Sequence, residues 1–218
     1  MSRETITRLK AGSWLLALGL FFTGAGAGFA PWVWHESVAL QLTAPGLAEF
    51  VKFLPEVRTG QMKVERLFFL TPLFLVMLLL PLLIVNKGLT LPQVLRWGLR
   101  LVVIPLALVA LSPVWTPAIL ISSEFRWQTV LTLLSLGLVV VASFFKRLPL
   151  KVLIITLIGG NLISVVLAGR QFSLVQSAIT EVYHEPVGLG WGWWLMVTGM
   201  LIANLGGLAL FALHRPKE

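Results

Sequence analysis

The chain contains no cysteine and no aspartate. The first absence excludes disulfides, thiolate metal sites and cysteine nucleophiles. The second excludes intramembrane aspartyl chemistry and the acidic metal-dependent transferases. Charge of either sign is scarce: 12% of the 218 residues are charged, about half of what a soluble domain carries. There is no Walker-type glycine loop, no HExxH and no nucleophile–base spacing. The long apolar runs also lack ionisable groups at their centres, and these are the groups that a pump or ion-coupled transporter uses.

What is present is apolar. Hydrophobic residues make up 57% of the chain, more than a core of this size can hide from water, so the bilayer is the expected solvent. Six runs approach or exceed the roughly 20 helical residues that cross a hydrocarbon core: Ala11–Trp32, Leu67–Val85, Leu101–Ile121, Trp127–Phe145, Leu148–Ala168 and Trp191–Leu213. The expected fold is an all-α integral membrane bundle of about six spans, forming one transmembrane domain over residues 1–218. Outer loops are expected at 33–66 and 169–190. The first span carries a basic flank and small residues, and is expected to act as an uncleaved signal-anchor.

The net charge of +8 is distributed as the positive-inside rule requires, not as a nucleic-acid patch. With the N-terminus inside, the inner segments hold eleven basic residues against Glu4 and Glu218. The outer segments hold six basic residues against seven glutamates. Both termini are therefore expected in the cytoplasm of a bacterial inner-membrane protein. His214 is expected to cap the C-terminal end of the last helix. Seven of the nine tryptophans, Trp32, Trp34, Trp115, Trp127, Trp191, Trp193 and Trp194, fall at outer ends, which predicts an interfacial anchor belt.

The outer loops carry helical patterns. Thr43 followed by Pro45 reads as a helix start, and Leu47, Phe50, Val51 and Leu54 recur at i, i+3, i+4, i+7. Phe172, Val175, Ile179 and Val182 share a face in the last outer loop. Two short amphipathic helices are expected there, lying on the membrane or over the bundle.

Candidate functional residues are few. Gly24 and Gly28 form a GxxxG in the first span, and Gly199, Ala203 and Gly207 recur every four residues in the last. Such stripes let helix backbones approach closely. Asn161 and Asn204 place amides within hydrocarbon, where they need interhelical partners. Two outer dipeptides, His35-Glu36 and His184-Glu185, are candidate ligands for a divalent metal or a haem should they converge. No other cofactor and no catalytic set is expected.

These features predict a non-catalytic accessory or scaffold subunit of a larger membrane complex, whose partners are the lipid bilayer and other membrane subunits or a second copy. The alternative is a transporter or permease subunit handling an apolar or amphipathic, lipid-like ligand, motivated by prolines at 72, 81, 105, 113 and 117. A third reading is a redox or metal subunit built on the two histidines.

Overall fold

The computed structural model describes residues 3–37 and 40–213. Within them are six helices long and apolar enough to cross a membrane: α1 (Arg3–Gly28), α4 (Leu67–Ile84), α5 (Gln93–Ala110), α7 (Arg126–Val141, continued by a 3₁₀ turn, Ala142–Phe145), α8 (Leu150–Tyr183) and α9 (Trp191–Leu213). Strands β1 (Pro31–Val33) and β2 (Leu42–Thr43) and the short helices α2 (Ala44–Phe50), α3 (Pro55–Arg58) and α6 (Pro117–Leu120) lie on the connections. His214 lies outside the described residues.

Helix α4 is the hub. It packs against α1, α5, α7 and α8, while α9 bridges α1 and α8. Phe69, Leu73, Met77, Leu80 and Leu83 on α4 are fully buried. Helix α7 is polar inside and apolar outside. Its buried face is Gln128, Thr129, Thr132 and Ser135, whereas Val130, Leu133, Leu134 and Val140 are exposed. The hydroxyls of Thr132 and Ser135 donate to carbonyls one turn back, at 2.8 Å each, and Gln128 Nε2 donates to the Ala110 carbonyl at 2.8 Å. The Thr129 hydroxyl on the same face is buried without a partner. An outward apolar face is what hydrocarbon surroundings require.

The closest packing joins α1 to α9. The antiparallel pair meets along two matched rows, Gly12, Leu16, Gly19, Thr23 and Gly26 against Leu210, Gly206, Ala203, Gly199, Met196 and Gly192. A glycine recurs every seven residues in each row. A Cβ on Gly19 would lie 2.2 Å from the backbone nitrogen of Ala203, and one on Gly199 would lie 2.4 Å from that of Thr23. Backbone therefore rests on backbone, and the pair gains dispersion contacts along its length. Gly24 and Gly28 are not on this seam. They make room for Leu106 of α5, and Gly28 also for Leu73 of α4, while Gly207 faces Ile154 of α8. Of the expected contact residues, only Gly199 and Ala203 meet α1.

Several boundaries differ from expectation. The first helix begins at Arg3 and stops at Gly28, and Trp32 belongs to β1. The third spans Gln93–Ala110 rather than 101–121, because Pro92 sets its start and Pro113 and Pro117 lie beyond its end. The expected amphipathic helix after residue 168 is the continuation of α8, which runs unbroken for 34 residues. At 1.5 Å per residue this is about 51 Å, some 20 Å more than a hydrocarbon core. The tryptophan belt is likewise incomplete. Trp32 and Trp193 are buried, stacked edge to face at 5.0 Å, and the Trp32 indole donates to the Gly26 carbonyl at 3.0 Å.

The end of α8 and the long α1–α4 connection build a platform over one end of the bundle. β1 and β2 pair antiparallel, and Val33 also bridges Leu189. Helix α2 is capped by Thr43, whose Oγ1 accepts from the Gly46 amide at 3.2 Å. The expected amphipathic helix ends at Phe50 and passes into a 3₁₀ turn, Val51–Phe53. Leu47 of α2, Val51 of the turn and Leu54 beyond it are buried, and α2 packs beside α4.

Candidate functional site

On the platform, Arg66 is the centre of a four-charge cluster. It enters from the residue preceding α4. Its Nε donates to the Ala48 carbonyl at 2.8 Å, Nη1 reaches Glu124 at 2.6 Å, and Nη2 pairs with Glu49. Lys52 Nζ lies 2.7 Å from Glu49 and 3.2 Å from Glu124, and both cations stack on Phe125 at 4.7–4.9 Å. Two cations meet two carboxylates, so the cluster is neutral and its hydrogen bonds are internally satisfied. It welds α2, the start of α4 and the α6–α7 connection. Glu49 lies on α2 and Lys52, three residues on, lies on the 3₁₀ turn that follows it.

The two His-Glu dipeptides converge only in part. His35 Nε2 lies 3.3 Å from Glu185, and Nδ1 accepts from the Ser37 amide at 3.0 Å. With Nδ1 accepting, the ring proton belongs on Nε2, directed at the carboxylate. The ring also stacks edge-on against Tyr183 at 5.6 Å, and the Tyr183 hydroxyl donates to the Leu40 carbonyl at 2.9 Å. Both imidazole nitrogens of His35 are thus engaged: Nδ1 within its own loop, and Nε2 with the segment that follows α8. His184 instead terminates α8 in the left-handed region (φ 56°) and faces solvent, as Glu36 does. Among the described residues, no three of His, Cys, Asp and Glu gather as metal ligands would.

No family model matches the chain, and neither a curated protein nor a solved structure does. The geometry alone must carry a functional reading.

Within the bundle, Asn161 of α8 donates through Nδ2 to Asn204 Oδ1 of α9 at 2.7 Å. The pair fastens these two helices and leaves Asn161 Oδ1 buried without a partner. At the end opposite the platform, Arg100 is buried two turns into α5. Its guanidinium donates to the carbonyls of Val139 and Val140, the latter at 2.7 Å, and to Ser143 Oγ at 3.1 Å. It therefore caps the C-terminal end of α7 from a neighbouring helix. Arg96 similarly donates to the carbonyls of Leu91, Asn86 and Leu89. These arginines marked a loop end in the sequence; nothing there showed that Arg96 fastens the α4–α5 connection or that Arg100 serves another helix.

One flank of the hub is only partly covered. Helices α7 and α8 both pack on α4 but barely meet each other. Between them runs an apolar groove of about 410 Å³, floored by Phe68, Thr71 and Leu75 of α4 and walled by Leu131 of α7 and Ile163 and Leu167 of α8. The groove occupies the half of the bundle nearer the platform. Asn161 and Asn204 do not line it.

Proposed function

We propose that the protein is a non-catalytic scaffold or accessory subunit of a larger membrane complex, and that a transmembrane helix of a partner covers α4 between α7 and α8. The partly covered flank of the hub helix is the observation that carries this reading. In a finished bundle the central helix is enclosed, and here one flank of α4 is only half-buried over about three turns, from Phe68 to Leu78. The rest of the chain favours a fixed body over a moving one. The α1–α9 seam, the Arg66 cluster, the Arg96 and Arg100 caps and the Asn161–Asn204 bond each join separate elements and engage the polar groups that a transport cycle would have to release and remake.

The charge distribution supports placing both termini in the cytoplasm and the platform outside, in a bacterial plasma membrane. The platform then offers the partner a rigid outer surface next to the groove. The amphipathic-ligand reading is less favoured because the groove does not reach the intramembrane amides that would hold a polar group.

The test is purification of the tagged full-length protein from its own membranes in mild detergent, followed by native mass analysis. The expected result is a mass exceeding the monomer by a stoichiometric polypeptide that is lost in an Ile163→Trp/Leu167→Trp variant, which fills the groove. A strictly monomeric wild type sinks the proposal.

A further inference from the structure

We propose that the recess bounded by Lys87, Arg96, Arg100 and Lys146, at the end of the bundle opposite the platform, binds the phosphate headgroup of an anionic membrane lipid. The recess measures about 380 Å³ and opens where the first two turns of α5 face the end of α7. Its lining includes four cations and no carboxylate.

The imbalance is specific to this place. Among the described residues, every ion pair but Arg8–Glu4 lies on the platform, where cations and carboxylates match. In the recess, Arg96 and Arg100 are hydrogen-bonded to carbonyls and a serine hydroxyl, which orient the guanidinium groups without neutralising them. Lys87 and Lys146 are held close by a backbone bond, Lys87 N–H to the Lys146 carbonyl at 3.4 Å, and both side chains are exposed. Four like charges around one recess repel unless an anion enters it. The N-terminus of α5, eighteen residues long and lined here by Gln93, adds a partial positive charge.

The surroundings select a lipid over a soluble anion. Trp97 lies against the Arg100 guanidinium at 4.9 Å and is half exposed, the posture of an indole at a headgroup boundary. Val94 and Phe144, both on this end, are more than 80% exposed. Leu101 and Ile104 continue the exposed face of α5 towards the platform, giving acyl chains a path alongside the headgroup. Basic pockets between helices at the membrane surface recognise such headgroups by charge and hydrogen bonding.

Full-length protein, delipidated in mild detergent, is titrated with phosphatidylglycerol, phosphatidylcholine or inorganic phosphate and followed by native mass spectrometry. The wild type is expected to retain phosphatidylglycerol selectively. Lys87→Ala/Lys146→Ala should weaken that retention by about thirtyfold, from roughly 1 kcal/mol per surface cation. A control, Arg3→Ala/Lys10→Ala, removes equal charge from the same end and should match the wild type. Equal retention of the two lipids by the wild type overturns the proposal. So does a lysine variant that binds like the wild type, or a control that loses as much. Inorganic phosphate binding without lipid selectivity also overturns it and assigns the recess to a soluble anion. Should the double variant fail to fold, Lys146→Ala alone decides, with an expected loss of about fivefold and no loss overturning the proposal.

Discussion

Adding one methyl group at Gly19 should destabilise the protein, whereas the same change at Gly159 should not. An alanine Cβ at Gly19 would lie 2.2 Å from the Ala203 nitrogen, 2.6 Å from its Cα and 2.6 Å from the Gly199 carbonyl oxygen. Ordinary contacts between such atoms begin near 3.5 Å, so the helices must part by more than 1 Å. No side-chain rotation relieves the clash, because all three atoms are backbone. Overpacking of this kind costs about 1–3 kcal/mol, with the upper end expected where backbone must move. Parting the helices also loosens the matching contacts at Gly12 and Gly26, one heptad away in each direction. Against this stands a gain of up to about 1 kcal/mol from replacing a helical glycine by alanine. The net loss is then about 2 kcal/mol for Gly19→Ala, and similarly for Gly199→Ala and Gly206→Ala, whose added carbons would meet backbone at 2.4 Å. Gly159, Gly137 and Gly98 have nothing within 4 Å, and alanine there should leave stability unchanged or raise it by a few tenths of a kcal/mol. The assay is reversible unfolding in mixed micelles, read by tryptophan fluorescence, on the six single variants. If the seam and control variants unfold together, the backbone-contact account is refuted, since the substitutions are chemically identical.

Arg100→Leu should cost about 2–3 kcal/mol in the same assay, because it strips a charged donor from the Val139 and Val140 carbonyls at the end of α7; an unchanged midpoint would mean that water caps them equally well. Asn161→Leu should cost about 0.5–1.5 kcal/mol and Asn161→Leu/Asn204→Leu less than the sum of the single changes, since the pair is one interhelical bond; strict additivity in the cycle would show the amides to be independent. Glu49→Gln should lower stability by about 1–3 kcal/mol through loss of its ion pairs with Arg66 and Lys52, and the Arg66→Gln/Glu49→Gln cycle should show coupling. For orientation, the absence of native cysteine gives a clean background: an impermeant maleimide added to intact cells should label Lys63→Cys and Glu185→Cys, but Lys10→Cys and Lys87→Cys only after lysis. The reverse pattern would invert the proposed topology.

The number of long apolar helices and the Thr43 cap were legible because each has a local cause, a hydrophobic run in one case and a side chain reaching its own helix in the other. Helix ends were less so, because hydropathy marks a change of solvent, not the point where a helix stops. Arg170 and Gln171 end the apolar run of α8, yet nothing between Leu150 and Tyr183 breaks the backbone pattern, and the helix continues until His184 turns left-handed ahead of Pro186. Arg96 and Arg100 delay the apolar run of α5, but Pro92 marks where that helix begins. The His35–Glu185 bond was beyond reach for a different reason. It joins residues 150 apart, and which partner each histidine takes depends on how the platform folds, which no local pattern encodes.

The glycines give the sharpest case, because their period of seven encodes the contact that spacings of four do not. Small residues four apart suit helices that cross and diverge, as in right-handed GxxxG pairs. Helices that stay side by side over their length must present the same face every 3.5 residues, so their small residues recur at seven. Gly12, Gly19 and Gly26 obey that rule in α1, and Gly192, Gly199 and Gly206 obey it in α9. The spacing therefore implies both the partner and the manner of crossing: two glycine heptads of equal length, one in the first span and one in the last, match each other and nothing else in the chain. Gly24 and Gly28, four apart, lie around the helix from that seam and admit the single bulky side chain of Leu106. A glycine pair at four makes room for a knob, and a glycine series at seven makes room for a helix.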